Sequence, residues 1–233
     1  MPQGDPEHGA ATTTQTSLVR PQVGYQEEAF VTRDGLGVST ETTIFYDTPL
    51  LPNEAAVLDR AVLLAAETYT LRVKRMTLGL LGPGPREDQR YSIFLRPFGI
   101  KLFEVMGFSG ICSSGTGEYY QCVERGFLAA NHYTDDELGR LYYSWTRGAD
   151  GHEVFQTQVR DYVPRLAGRR RTRLGLLFYR WTQVNLHRLV MWRYHVWVQR
   201  ERAELIAAAA VALEASAAGD EKEAKPKELQ ADA

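Results

Sequence analysis

The sequence of 233 residues predicts a mostly α-helical protein: an irregular helical subunit with a long C-terminal helix and disordered termini. Apolar residues recur at three- and four-residue steps after Asn53, and again between residues 172 and 213, which is the spacing of amphipathic helices. The two ends of the chain contain few residues that a core could bury. Hydrophobic residues make up 44% and charged residues 24%, the composition of a folded protein rather than a disordered one.

Composition divides the chain into four predicted regions. Residues 1–24 are expected to form a disordered or extended arm, and residues 214–233 a disordered, charged tail. A helical region is expected over residues 25–107, and a helical C-terminal extension over residues 108–213. The boundary is placed in the glycine- and serine-rich segment 107–117, which is typical of a linker. The N-terminal arm lacks the apolar core of a secretion signal and the arginines of a typical cleaved mitochondrial presequence.

The first predicted helix begins at Asn53, whose side chain is suited to cap it, with Glu54 in the first turn. It ends before the segment Gly82-Pro83-Gly84-Pro85, because proline lacks the backbone donor that a helix needs. Its apolar face is expected to pack inward and consists of Leu58, Val62, Ala65, Tyr69, Val73, Met76 and Leu80.

Shorter helices are expected in the second half of the chain, over residues 119–130, 134–145 and 152–162. Thr134 and Glu137 have the spacing of a capping box, which would start the middle one. The β-branched and aromatic segment 42–46 is too short to be assigned as a strand.

No residue pattern predicts catalysis, a cofactor or a metal ion. His187 and His195 lie eight residues apart and can share a helix face, but a zinc site there needs ligands from elsewhere. His132 and His152, with the acids near them, lack the spacing of known metal motifs. Two cysteines cannot form a four-cysteine zinc site. No nucleophile, base and orienting group can be assembled from the sequence.

The strongest physical signal is segregated charge. Ten arginines and one acid, Glu201, lie between Arg165 and Arg202, whereas the other 195 residues carry 17 basic and 28 acidic side chains, a balance of −11. Arginines interleaved with tryptophans suit nucleic acid, anionic lipid headgroups or an acidic protein surface. The predicted contact residues in this segment are Arg169, Arg170, Arg171, Arg173, Trp181 and Trp192.

Residues 35–105 resemble subunit 7 of the mitochondrial cytochrome bc1 complex, the ubiquinol–cytochrome c reductase binding protein. Four blocks occur in the family's order and at similar distances. They are Leu36-Gly37-Val38 with Thr43-Ile44 after it, Leu71-Arg72-Val73-Lys74-Arg75, Pro85-Arg86-Glu87-Asp88, and Phe94-Leu95-Arg96-Pro97-Phe98. The remaining C-terminal half has no counterpart in the family and is interpreted as a lineage-specific extension.

The resemblance implies a non-catalytic structural and assembly subunit of respiratory complex III, on the matrix side of the mitochondrial inner membrane. Its expected partners are cytochrome b and the core proteins, with cardiolipin and neighbouring complexes of a supercomplex in addition. Arg72, Lys74 and Arg75 would contact acidic partner residues or lipid phosphates. Nucleic acid is not expected, because the acidic remainder of the chain repels a polyanion. Alternatives are an accessory subunit of another respiratory complex or of ATP synthase, and an RNA-binding mitochondrial ribosomal protein.

Overall fold

The computed structural model describes residues 22–31, 37–87, 90–106, 112–113, 118–123, 139–162 and 184–223. Two α-helices and nine β-strands occupy these ranges. In chain order they are β1 (Val23–Val31), β2 (Gly37–Phe45), α1 (Glu54–Met76), β3 (Leu81–Glu87), β4 (Arg90–Leu95), β5 (Ile100–Met106), β6 (Cys112–Ser113), β7 (Glu118–Val123), β8 (Gly139–Arg147), β9 (Glu153–Tyr162) and α2 (Asn185–Glu223). A 3₁₀ turn, Arg96–Phe98, connects β4 to β5.

All nine strands belong to one antiparallel sheet, which curls into a half-barrel. The strand order is β1-β2-β9-β8-β7-β5-β4-β3, with the short β6 paired to β7. Helix α1 packs against α2 and against β8, β3 and β7, while α2 also contacts β2. The two helices therefore cover one face of the curled sheet, and the core lies between them and the strands.

Alternating burial explains why the central strands form. In β8, Leu141, Tyr143 and Trp145 are buried, whereas the intervening Tyr142 and Ser144 are partly exposed. Successive side chains of a strand point to opposite faces, so this period of two places one set against the helices. Aromatic and β-branched side chains also favour strands.

The apolar face predicted for the first helix is confirmed over most of its length. Leu58, Val62, Val73 and Met76 of α1 are buried, whereas Leu80 lies beyond the helix and is exposed. The predicted capping by Asn53 is wrong: Asn53 precedes the helix with a left-handed backbone, and its side chain makes no capping hydrogen bond.

The end of α1 is fixed by Thr77 rather than by the prolines that follow. The Thr77 hydroxyl donates to the carbonyl of Val73 at 2.8 Å and accepts from the backbone N–H of Leu81 at 2.9 Å. Leu78 and Gly79 then adopt positive φ angles, and the chain enters β3. The segment Gly82-Pro83-Gly84-Pro85 is part of that strand.

The predicted fold class, mostly α, is wrong. Strands β7, β8 and β9 occupy described parts of the segments expected to be helices at 119–130, 134–145 and 152–162. The helix prediction failed because these segments carry a period-two pattern of aromatic and β-branched residues, which packs on a sheet. The capping box of Thr134 and Glu137 lies outside the described residues.

The long C-terminal helix is confirmed, but its bounds differ. Helix α2 runs from Asn185 to Glu223, so it continues ten residues into the predicted tail. Residues 163–183, which include the predicted start of this helix, lie outside the described residues, as do residues 1–21 of the N-terminal arm. The rest of the predicted tail, 224–233, also lies outside them.

The helical architecture implied for residues 35–105 is also wrong. This segment contains β2, α1, β3, β4 and β5, and of its four matching blocks only the one ending at Arg75 lies on a helix. Strands from both predicted helical regions pair in the same sheet, β2 with β9 and β5 with β7. The protein is therefore an α/β protein and not a helical subunit.

Candidate functional site

A buried polar cluster lies where β2, β9 and α2 meet. The inward face of β2 carries Ser39, Glu41 and Thr43, all buried, and only the fourth inward residue, Phe45, is apolar. Glu41 is the cross-strand partner of Thr157 in β9. Helix α2 completes the cluster from the other side. Since buried polar groups need hydrogen-bond partners, the inward face of β2 requires polar residues on the helix.

Glu41 is a completely buried carboxylate with partners on both oxygens. Its Oε2 accepts a hydrogen bond from the Thr157 hydroxyl at 3.1 Å, and its Oε1 lies 3.1 Å from Nε2 of His187. Burial raises the pKa of Glu41, but the hydrogen bond and charge of His187, with smaller effects of His195 and Thr157, outweigh it. The net pKa is lowered, so Glu41 is ionised at neutral pH.

His195 is completely buried between two threonine hydroxyls. Its Nδ1 lies 2.8 Å from Oγ1 of Thr43, and its Nε2 lies 2.9 Å from Oγ1 of Thr157. Burial lowers the pKa of His195 to about 4, although the negative charge of Glu41 opposes this. His195 is therefore neutral at pH 7, with one nitrogen protonated.

The carboxylate of Glu41 fixes the direction of these hydrogen bonds. Because a carboxylate only accepts, Thr157 donates its single proton to Glu41 and must accept from Nε2–H of His195. The Thr43 hydroxyl then donates to Nδ1 of His195 and accepts from Nε2 of Gln199 at 3.3 Å. The result is a one-way chain from α2 through both threonines to Glu41.

Ser39, His187 and Glu41 have the residue types of a catalytic triad but not its geometry. Nε2 of His187 lies 2.8 Å from Oγ of Ser39 and 3.1 Å from the Glu41 carboxylate. A triad requires the carboxylate and the nucleophile on opposite ring nitrogens. Here the shared nitrogen donates its proton to Glu41, so it cannot take a proton from Ser39. The arrangement binds His187, which is 28% exposed, to the sheet.

A second cluster, of four charged side chains, joins both helices to the sheet. Glu153 of β9 is completely buried and binds Arg202 of α2 through both oxygens, with Nε of Arg202 2.9 Å from Oε2. Arg147 of β8 lies 3.2 Å from the same carboxylate and donates to both oxygens of Glu54 at the start of α1. Arg147 also donates to the carbonyl of Pro49 at 3.1 Å.

Both clusters join helices to the sheet. A shallow groove of about 520 Å³ lies along β3 and β4, lined by Pro83, Gly84, Phe94, Arg96 and Gly99, and none of its residues belongs to either cluster. Within the part of the chain that the structure describes, no three His, Cys, Asp or Glu side chains are arranged to hold a metal ion. No helix in that part is both long and apolar enough to span a membrane.

The predicted contact residues are only partly described by the structure. Arg72 of α1 lies over the ring of Trp197, 4.3 Å from its centre, so it is engaged within the molecule. Lys74 and Arg75 are exposed in the last turn of α1, and Trp192 of α2 is 47% exposed. The other predicted contacts lie outside the described residues; they are Arg169, Arg170, Arg171, Arg173 and Trp181.

The structure brings Trp192 beside the basic end of α1. Arg193 donates to the backbone carbonyl of Met76 at 2.7 Å, so the first turns of α2 lie against the last turn of α1. Exposed leucines accompany these residues on both helices and in the turn after α1. We define the α1–α2 surface as Leu71, Lys74, Arg75, Leu78, Leu189 and Trp192, which are all exposed.

Sequence reasoning missed the buried polar cluster. The available signal was the alternation of Ser39, Glu41 and Thr43 with the outward residues of β2, together with two histidines on one face of a later helix. A pattern of inward polar residues does not stand out when apolar periodicity is the criterion. Only the packing of α2 against β2 shows that the inward polar residues of the strand and the two histidines of the helix form one cluster.

Comparisons with known proteins do not assign this chain to a family. No family model matches it, and neither does any curated protein. Among solved structures, it is weakly similar to the crystal structure of CalU16 from Micromonospora echinospora, with 10% identity and a TM-score of 0.28. The alignment covers 81% of this chain and 98% of that one. So low a TM-score carries no argument about fold or function.

Proposed function

We propose that this protein is a non-catalytic docking module, which presents the α1–α2 surface to an anionic partner. The observation that carries the proposal is the coincidence of large exposed apolar side chains with exposed cations on that surface. Clustered exposed apolar residues on a folded protein mark interaction sites, because leaving them in water is unfavourable.

The charge distribution supports an anionic partner. The sequence has no acidic residue between positions 68 and 86, or between positions 162 and 200. The chain therefore offers Lys74 and Arg75 no carboxylate within six residues before them or eleven after them, and none in the first turns of α2, which lie against the end of α1. The helix dipole stabilises cations in the last turn of α1, but it does not neutralise them. Both charges therefore remain available to a partner.

The internal use of the polar residues supports a non-catalytic role. Glu41 and Glu153, the two carboxylates that are completely buried in the described part of the chain, are each bound by side chains of α2. His195 is held between two threonines, and the nitrogen of His187 that faces Ser39 is committed to Glu41. These groups stabilise the helix against the sheet, and an active site requires groups that remain free for substrate.

Membership of respiratory complex III stays a prediction from the sequence and is not part of this proposal. It depended on a resemblance that implied a helical fold, and that fold is wrong for residues 35–105. Native electrophoresis of membranes from the source organism, with mass spectrometry of the bands, tests it separately.

The docking proposal is tested by charge reversal in cells of the source organism. We expect the wild-type chain to sediment with a larger particle or membrane after gentle lysis. The double variant Lys74→Glu/Arg75→Glu should move at least tenfold more of the chain into the fraction of free protein. The matched control, Arg60→Glu/Arg200→Glu, makes the same charge change away from the α1–α2 surface. A wild-type chain that sediments as a free monomer, or two variants with equal effects, would contradict the proposal.

A further inference from the structure

We infer that the partner of the α1–α2 surface is an anionic lipid bilayer, to which the protein binds peripherally. This inference rests on the proposed docking function and names its partner. It is carried by three features of the described residues: apolar side chains that project from turns and helix faces, cations at the same end of the molecule, and an exposed tryptophan there.

The exposed apolar side chains extend beyond the α1–α2 surface at the same end of the molecule. The backbone N–H of Arg96 donates to the carbonyl of Leu80 at 2.9 Å, which places the 3₁₀ turn after β4 beside the turn after α1. Phe98 in that turn is 72% exposed, and Leu78 is 84% exposed. Ile100, the first residue of β5, is exposed as well. Of the ten large hydrophobic side chains that are exposed among the described residues, seven lie at this end: Leu71, Leu78, Leu80, Phe98, Ile100, Leu189 and Trp192.

The shape of this surface favours a bilayer over a folded protein. Leu78 and Phe98 project from tight turns, and Leu189 and Trp192 from the outer face of a helix. A folded partner needs a complementary pocket for each projecting side chain, since protein interfaces pack as densely as protein interiors. The interfacial region of a bilayer is fluid and accepts such side chains without preformed pockets.

The charges are those that an anionic headgroup layer attracts. Lys74, Arg75 and Arg96 are exposed cations at this end of the molecule. Each basic residue near an anionic surface strengthens binding about fivefold. Immediately before α2 the sequence adds six more arginines in residues 163–180 and Trp181 after them.

Trp192 has the surroundings of a residue at the membrane–water interface. Its side chain is about half exposed, and Leu189, three residues earlier on α2, is exposed as well. The next residue, Arg193, is hydrogen-bonded to the end of α1. Tryptophan prefers the headgroup level because its ring is amphipathic. The inference therefore places Trp192 among the headgroups and Leu78 in the acyl boundary.

The test uses the purified full chain and two kinds of vesicle. The neutral vesicles contain phosphatidylcholine alone, and the anionic vesicles also contain about 30 mol% phosphatidylglycerol, to imitate an anionic membrane. Co-sedimentation should show that the chain binds the anionic vesicles at least tenfold more strongly than the neutral ones, and that this binding weakens in high salt.

The variants test which residues bind the vesicles. Lys74→Glu/Arg75→Glu should weaken binding to the anionic vesicles at least tenfold, and Leu78→Ser should weaken it severalfold. Arg60→Glu/Arg200→Glu should bind as the wild type does. Brominated acyl chains should quench more tryptophan fluorescence in the wild type than in Trp192→Phe.

These outcomes separate the inference from the docking proposal. If the wild-type chain fails to bind anionic vesicles, or if Lys74→Glu/Arg75→Glu binds them as well as wild type, the bilayer is not the partner. If charge reversal nevertheless releases the chain from a large particle in cells, the docking proposal stands and the partner is a protein. If the wild-type chain does not bind anionic vesicles and charge reversal does not release it from a large particle in cells, both the bilayer inference and the docking proposal are wrong. All of the substituted side chains are exposed except Arg60, which is partly buried, and unchanged thermal melting of each variant shows that folding is intact.

Discussion

At the scale of single residues, His195 is the side chain most constrained by its surroundings. Both of its ring nitrogens are hydrogen-bonded, and the ring lies edge-on to Tyr25 and Tyr194 and 5.1 Å from the centre of Phe155. The aromatic cage excludes water, and the one-way hydrogen-bond chain requires a neutral ring. A proton added to Nδ1 would remove the acceptor that Thr43 uses.

Acid should therefore destabilise the protein through His195. Its pKa is about 4 in the folded chain and 6.5 ordinarily, so between these values the unfolded chain binds a proton that the folded chain does not. The stabilisation is complete above pH 6.5 and is lost as the pH falls towards 4, by about 3 kcal/mol in total. Glu41, whose pKa is also lowered, adds to the loss below its ordinary value of 4.5. Chemical denaturation at a series of pH values measures this slope.

The His195→Gln variant identifies the source of the slope. We expect it to be less stable than wild type at pH 7, but to lose much less stability between pH 6.5 and 5. His152→Gln provides the control, because His152 lies in a partly exposed turn rather than in the cluster. If His195→Gln keeps the full wild-type slope, another group is responsible for it.

Sequence patterns at this scale found exposed charges better than buried ones. Lys74 and Arg75 were predicted as contact residues and are exposed. Glu41 was not predicted as a site residue, because an acid in a polar, threonine-rich segment is typical of a protein surface. Its burial depends on Thr157 and His187, which lie 116 and 146 residues away in the chain.

At the scale of single elements, strand β3 depends on two glycines that make room for neighbouring side chains. A Cβ atom on Gly84 would lie 2.4 Å from Cε2 of Phe94, and one on Gly82 would lie 2.2 Å from Nε of Arg96. Phe94 and Arg96 thus lie across the backbone of an edge strand that has no side chains there. Coverage of edge glycines by an aromatic ring is a recognised way to stabilise a sheet.

The two glycines should differ in their tolerance of alanine. Gly84→Ala forces the Phe94 ring off the strand and should reduce the free energy of unfolding by about 1–2 kcal/mol. Gly82→Ala meets only the flexible arginine side chain, which can swing into solvent, so a change within about 0.5 kcal/mol is expected. Urea denaturation of both variants measures the difference. Equal losses would mean that Phe94 is not held in place by the strand.

Helices were predictable as elements and strands were not. The 3.6-residue periodicity of α1 is continuous over six turns and survives in the structure as a buried face. The strands are six to ten residues long in β7, β8 and β9, and their aromatic residues occur on both faces of the sheet. Tyr120 and Tyr142, for example, pair on the outer face with ring centres 5.4 Å apart. That mixture hides the period-two signal.

At the scale of the whole molecule, the ion cluster around Glu153 joins four elements. Its members come from α1, β8, β9 and α2, and two of them, Glu54 and Arg147, are 93 residues apart in sequence. Because Glu153 is completely buried, the guanidinium groups of Arg147 and Arg202 bind its carboxylate in place of water. This one cluster therefore connects both helices to the sheet.

Removing the Glu153 charge should loosen both helices together. Glu153→Gln leaves Arg202 without its carboxylate in a largely buried position, and the expected loss of unfolding free energy is about 3 kcal/mol. Glu204→Gln, which changes an exposed carboxylate on the same helix, should leave stability essentially unchanged. Hydrogen exchange should show faster opening in both α1 and α2. Faster exchange in α2 alone would contradict the role assigned to Arg147.

The sequence by itself determined the two helices, the segregation of positive charge and the basic end of α1. Each of these depends on residues within a few positions of one another, because helical hydrogen bonds and side-chain pairs form between residues three or four apart. Only the three-dimensional fold places the nine described strands in one sheet and pairs β2 with β9. It also decided that the charges of Glu41 and Glu153 are buried under α2. These features depend on contacts between residues tens to more than a hundred positions apart, and no local pattern specifies which distant partner a strand or a carboxylate will meet.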